Sequence, residues 1–219
     1  MTFWQENRTM TSQQAIGSVD YLTFVTAGAV VMTVFNGAIG GGVELLFDRE
    51  TGLLARLLAA PVQRLSIVTS RFAYVVGLSS AQSLLIVAAA YAFGVRYRTG
   101  LLGVAASLLI GVLFGAGITT LSITLALRLR NHEQFFTITS FVGLPVLFLS
   151  TALVPLEAMP WWMRPLARWN PMSYATDATR SLVVEHWHLG LVATMAGLLL
   201  LFDLVTLLIA SAALRRSLT

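Results

Sequence analysis

The sequence predicts an all-α integral membrane protein: a polytopic bundle of about five transmembrane helices, with short amphipathic segments at both membrane faces. Three observations predict it. Of 219 residues, 57% are hydrophobic and 11% charged, against roughly 25% charged in a soluble domain; mean hydropathy is +0.79. Five stretches are almost free of Asp, Glu, Lys and Arg, and each is long enough for the about 20 helical residues that a roughly 30 Å hydrocarbon layer requires. None alternates with period two, as a membrane β-strand does; blocks such as LLIVAAAYAFGV read as helix.

The first 20 residues, with Trp4, Glu6, Arg8 and Asp20, are polar and lack the apolar core and small-residue cleavage site of a signal peptide. They are expected as a solvated tail, residues 1–20, ahead of a membrane domain over 21–219. The first span lies between Asp20 and Glu44 and carries Asn36 and the run G37-A-I-G-G-G42. The Gly37–Gly41 spacing lets helix backbones approach closely. Glu44 lies one turn from the span's end.

After this span comes D48-R-E-T-G-L-L-A-R-L-L-A-A-P-V-Q-R-L-S. Leu53, Leu54, Leu57 and Leu58 recur at helical spacing, Arg49, Glu50 and Arg56 lie mostly off that stripe, and Pro61 marks a stop. Such a helix is too short to span. It lies along the surface, either as an anchor for the loop or with its leucines filling a groove on a partner protein.

The second span runs between Arg71 and Arg96 and contains Gln82; the third, between Arg98 and Arg128, contains Gly111, Gly115 and Gly117. The fourth is expected between Glu133 and Glu157. From Pro155 to Glu185 the chain holds four of its six Pro and three of its five Trp. Trp161, Trp162 and Trp169, with Tyr174, are aromatic-belt residues, and Trp162, Leu166 and Trp169 share a face of one short helix. Two short interfacial helices are expected here, broken at Asn170-Pro171. The fifth span, between Glu185 and Arg215, is interrupted by Asp203. An ionisable group inside lipid costs roughly 2.5 to 3.5 kcal/mol on insertion scales and is a functional candidate by default. Asn36, Gln82 and Asp203 are therefore the pathway or helix-packing candidates.

The net charge is +4, and all fourteen basic residues are Arg. Most flank apolar runs, which reads as interfacial anchoring rather than nucleic-acid binding. Without Lys a phosphate-cradling P-loop cannot be built, so this chain does not hydrolyse nucleotide by that route. Without Cys, thiolate metal sites and Cys nucleophiles are excluded. His186 and His188 lie two apart, about 200° around a helix, a poor pair for one metal ion, and His132 shows no acidic partner at sequence level. If the C-terminus faces the cytoplasm, the inner loops hold Arg49, Arg56, Arg64, Arg71, Arg128, Arg130, Arg215 and Arg216, eight of the fourteen Arg. That excess favours this orientation.

The run F47-D-R-E-T-G-L-L-A-R-L-L-A-A-P-V-Q-R-L-S-I-V resembles the cytoplasmic coupling region of type-2 ABC transporter permeases, the drug, lipid and polysaccharide exporters. The later R168-W-N-P-M-S-Y-A-T-D-A-T-R-S-L is similar to the same family's extracellular turn, and the likeness runs from about Tyr21 to the C-terminus. The resemblance implies a permease subunit of a bacterial inner or plasma membrane, C-terminus inside. It implies pairing with an ABC ATPase that uses ATP and Mg, a second permease subunit, identical or paralogous, and no cofactor on this chain. Arg49, Glu50, Gly52, Leu53, Arg56, Leu57, Leu58 and Pro61 would then couple to the ATPase, with Trp161, Trp162, Trp169, Asn170, Pro171 and Tyr174 in the extracellular turn. Family members usually have six spans, and the one resembling their second comes first here, so the resemblance implies a chain that starts late or works with five. The alternative class is a self-contained secondary transporter: G42 to D48-R49-x-x-G52 resembles the loop motif of the major facilitator family, at a different spacing. An intramembrane enzyme fits less well, because the His and Asp residues are scattered.

Overall fold

The computed structural model describes residues 3–53, 56, 64–129, 131–184 and 188–217. Its helices, in chain order, are α1 (Phe3–Glu50), α2 (Arg64–Ala92), α3 (Gly100–Arg128), α4 (His132–Phe148), a 3-10 turn (Leu156–Ala158), α5 (Met163–Trp169), α6 (Pro171–Val184) and α7 (Leu189–Ser217). Among the described residues, four segments are long and apolar enough to cross a membrane: Tyr21–Glu50 of α1, Ala73–Ala92 of α2, all of α3, and Leu189–Ala212 of α7. The fold is the polytopic helical bundle expected.

Two expectations change in detail. Residues 3–20, read as a tail, are helical and continuous with the first span, so α1 has 48 residues. Polarity does not oppose helix there: Gln, Glu, Met and Ala are good helix formers and no Pro intervenes. The fourth expected span is the short α4, 17 residues, about 25 Å at about 1.5 Å per residue. It stops at Phe148, far short of Glu157. Pro145 removes one donor from its last turn, and Asn170 takes two of its terminal carbonyls.

Between lipid-embedded helices the hydrophobic effect gives no net attraction, so association depends on close backbone approach and interhelical hydrogen bonds. The α1–α3 pair is built that way. Gly111 and Gly115 of α3 receive Val34 of α1, and Gly41 receives Val75 of α2 and Thr119 of α3. Gly37 faces Ser79 of α2. Both glycine pairs thus serve packing within the chain. Ser122 of α3 donates to the Ile39 carbonyl at 2.7 Å and accepts from the Gly42 amide at 3.1 Å, tying the two backbones together.

Around this pair, α2 packs on α1 and α3, and α7 on α3 and α6. The core runs through Val31, Val34 and Phe35 of α1, Ile110, Phe114 and Ile118 of α3, and Met172, Ala175 and Leu182 of α6. A helix of 14 residues therefore sits at the centre of the molecule although it is too short and polar to span. Buried along it are Ser173, Ala175, Thr176, Ala178, Thr179 and Ser181, small side chains that let α1, α3 and α7 close on it.

α4 is the outlier. It packs mainly on α1, and Phe135 is its buried residue. Phe136, Phe141, Leu144 and Phe148 face outward.

Candidate functional site

Three clusters lie along the bundle: one at the Glu50 end, a cleft at mid-height, and one at the Asn170 end.

At the Glu50 end α1 stops at a turn in which Gly52 adopts φ +71, the left-handed conformation that glycine adopts at helix C-termini. Arg49 reaches across to donate to the Ala126 and Leu129 carbonyls at 3.3 and 3.2 Å, a cation at the negative end of α3. Glu50 Oε1 lies 2.6 Å from His132 Nδ1 at the start of α4, and the Phe47 ring lies against the His132 ring, tilted by 49° with centroids 4.0 Å apart. His132 thus has the acidic partner that sequence proximity did not offer. Leu45, Leu46, Ala126 and Phe135 pack beneath. Of the expected coupling residues, Arg49 and Glu50 are engaged within the chain, Leu53 is 44% exposed, and Arg56 is exposed with its amide donating to the Gly52 carbonyl at 3.2 Å. Leu57, Leu58 and Pro61 lie outside the described residues.

At mid-height a cleft of about 250 Å³ opens between α1, α3 and α4, with Phe202 of α7 and Pro171 contributing. Its walls are apolar: Phe35 and Ile39, Ile118, Leu121 and Leu125, Ile138, Val142 and Val146. Ser122 and Thr139 supply hydroxyls.

The Asn170 end is polar and buried. Asn170, 8% exposed, donates its amide to the Val146 and Leu149 carbonyls at 2.6 and 2.9 Å and accepts from the Met172 amide at 3.0 Å. The chain breaks there as expected, α5 ending at Trp169 and α6 starting at Pro171, where proline's missing donor costs nothing. Three α6 side chains then hold Thr151. Ser173 accepts from its amide at 3.1 Å, Asp177 from its hydroxyl at 2.7 Å, and Arg180 donates to its carbonyl at 2.7 Å. Arg180 also pairs with Asp177 at 3.3 Å and lies 3.9 Å over the Phe24 ring of α1. Burial pushes the Asp177 carboxyl above its usual range, opposed by the Thr151 hydroxyl and the Arg180 charge. Burial likewise lowers the Arg180 guanidinium, opposed by Asp177. Trp161 and Trp169 stand 83% and 84% exposed, and Trp162 is exposed beside them, as headgroup-level anchors are. Tyr174 is half-buried against the core.

The family model of ABC-2 type transporters matches residues 1–184. This chain belongs to the ABC-2 type transporter family. It is 36% identical over 166 residues to the ycf38 transport permease of Pyropia yezoensis, covering 75% of this chain and 57% of that protein. The ycf38 permease of Porphyra purpurea is 35% identical over 164 residues, 74% and 56% of the two chains. A daunorubicin resistance ABC transporter permease protein, DrrB1 of Streptomyces coeruleorubidus, is 40% identical over 67 residues, 29% of this chain and 24% of that one. The chain thus spans little more than half the length of the ycf38 proteins.

In this ABC-2 chain the three intramembrane polar candidates separate. Asn36 is exposed and donates to the Met32 carbonyl of its own helix at 2.9 Å, and Gln82 faces outward on α2. Asp203 is half-buried with its carboxylate against Gly117 of α3, a packing position in the α3–α7 seam rather than on the cleft wall. Asn fills the same space, so Asp203→Asn should leave the thermal stability and any transport of the reconstituted protein within about twofold, since seam packing needs no charge; abolished transport with normal stability would assign the charge a role instead. Sequence reading missed the Glu50–His132 pair and the Asp177–Arg180–Thr151 group. The i, i+3 pairing of Asp177 with Arg180 was the legible signal for the second.

Proposed function

We propose that this chain is the membrane subunit of an ATP-driven exporter, whose cleft carries a hydrophobic or amphipathic substrate while a separate ABC ATPase hydrolyses ATP with Mg. The ATPase docks at the Glu50 end, which is then cytoplasmic together with the C-terminus, and the Asn170 end faces outward. The observation that carries this reading is the joint at the Glu50 end. The segment resembling the family's coupling region begins in the last turn of α1 and turns at Gly52, and its first residues are fastened to α3 through Arg49 and to α4 through Glu50. A push on that segment reaches α3 and α4, which with α1 wall the cleft.

The cleft walls support the substrate class. Apolar side chains with two hydroxyls suit drugs, lipids or lipid-linked glycans and offer nothing to a small hydrophilic ion. A second permease subunit, identical or paralogous, is part of the proposal, supported by the outward aromatic row of α4 and the exposed Asn36 on α1.

The test is a detergent pull-down of the tagged chain from its native membrane. A P-loop ATPase recovered in near-equal amount supports the proposal; a chain that arrives alone and transports in proton-loaded vesicles is a secondary transporter.

A further inference from the structure

A hydroxyl inside lipid needs a partner from the protein, because the hydrocarbon layer supplies no bulk water. In α1 and α3 that need is met within one helix: Thr26, Thr33, Thr120 and Thr124 each donate to the carbonyl four residues back. Ser79 and Ser83 of α2 depart from this pattern. They lie one turn apart on one helix face, near the middle of the Ala73–Ala92 span, and are 5% and 0% exposed. Neither Oγ has a hydrogen-bond partner within the chain. Both serines line a small cavity of about 10 Å³ between α1, α2 and α3. On its α3 wall stands Ser107, fully buried, which donates to the Val104 carbonyl at 2.8 Å and so keeps the lone pairs of its own oxygen free to accept. Half-buried Ser80 adds a fourth hydroxyl, and the rest of the wall is valine, leucine and glycine.

We propose that Ser79, Ser83 and Ser107 bind one ordered water molecule within the bilayer. The cavity fits one and no more, since the centre of a single water takes roughly 10 to 15 Å³, and buried waters typically make about three hydrogen bonds. The donor and acceptor count matches: the water accepts from Ser79 and Ser83 and donates to Ser107. A larger ligand has no room, and a metal cation finds no carboxylate or imidazole on these walls. At this level α2 is joined to the α1–α3 pair through the water, whereas α1 and α3 bond to each other directly through Ser122. The site shares no lining residue with the apolar cleft, and it stands whether or not the chain is an exporter.

The full chain, isotope-labelled in lipid bilayers, tests this by solid-state NMR in which magnetisation passes from water protons to the protein. Transfer is expected to Ser83 and to Gly111, both on the cavity wall, and not to Leu109, which is 61% exposed on the outside of α3. No transfer to Ser83, or equal transfer to Leu109, overturns the proposal. Thermal unfolding of Ser79→Ala, Ser83→Ala and the double variant in one detergent gives an independent reading. Each single substitution is expected to lower the melting temperature by about 3 °C, as loss of one net buried hydrogen bond does in a chain of this size. The double variant should fall by less than the sum, because a shared water couples the two hydroxyls. Dry, unsatisfied hydroxyls would give the opposite sign, each alanine raising the melting temperature. A rise, no change, or shifts that simply add would overturn the water site.

Discussion

Replacing Leu57 and Leu58 together with Asp is expected to strip the proposed ABC ATPase from the purified chain while the chain itself stays in the membrane. The two leucines continue the stripe that starts at Leu53, whose side chain is already exposed. The stripe lies beyond the Gly52 turn that separates it from α1. A leucine stripe seated in a groove is a compact set of hot spots. Two carboxylates in that groove would be desolvated without partners, and truncating two such anchors lowers affinity by at least about a thousandfold. The four spans found among the described residues do not include either position, so insertion should be unchanged. The pull-down, repeated beside a count of the chain in the membrane fraction, checks both halves. Undiminished ATPase recovery would remove this segment from the docking surface.

The second large effect is expected in the seam between α1 and α3. A methyl group placed on Gly42 would lie 2.6 Å from the Ser122 carbonyl oxygen and 2.8 Å from the Phe135 ring. Carbonyl oxygen is backbone and cannot swing aside, so Gly42→Ala must part the helices, at about 1 to 3 kcal/mol for overpacking. Parting them also stretches the bond from the Gly42 amide to Ser122. Gly40, two residues earlier, has open space around it, and its alanine variant should behave as the parent. Thermal unfolding of the two variants in one detergent makes the comparison; equal melting temperatures would show that the seam yields more easily than its geometry implies.

The spans were legible because a bilayer imposes a simple rule, long stretches without charge, and α1, α2, α3 and α7 obey it. The break at Asn170-Pro171 was legible because proline cannot continue a helix with its partner bonds intact. The end of α4 was not legible. Its residues remain apolar beyond Phe148, and what stops the helix is an amide more than 20 positions away in the chain. The same holds for Glu50 and His132, 82 positions apart, each unremarkable in its own neighbourhood. α6 was read as an interfacial helix because the stretch from Pro155 to Glu185 is rich in Trp and Pro. In the fold the α6 hydroxyls are buried, and those of Thr176 and Ser181 bond to backbone carbonyls of α6 itself, so the polarity of those two is spent locally.

The central place of α6 also fixes an order of assembly. Eight of its fourteen residues are Ser, Thr, Ala, Asp or Arg, too polar a segment to partition into lipid unaided. It can settle only into a crevice already walled by α1 and α3, and the remaining wall, α7, is synthesised after it. The part of the bundle around α6 is therefore the last to become native. A nascent chain released before α7 emerges could still pair Asp177 and Arg180 with Thr151 and Phe24, but would leave the α7 side of α6 uncovered and open to the quality-control proteases of its membrane.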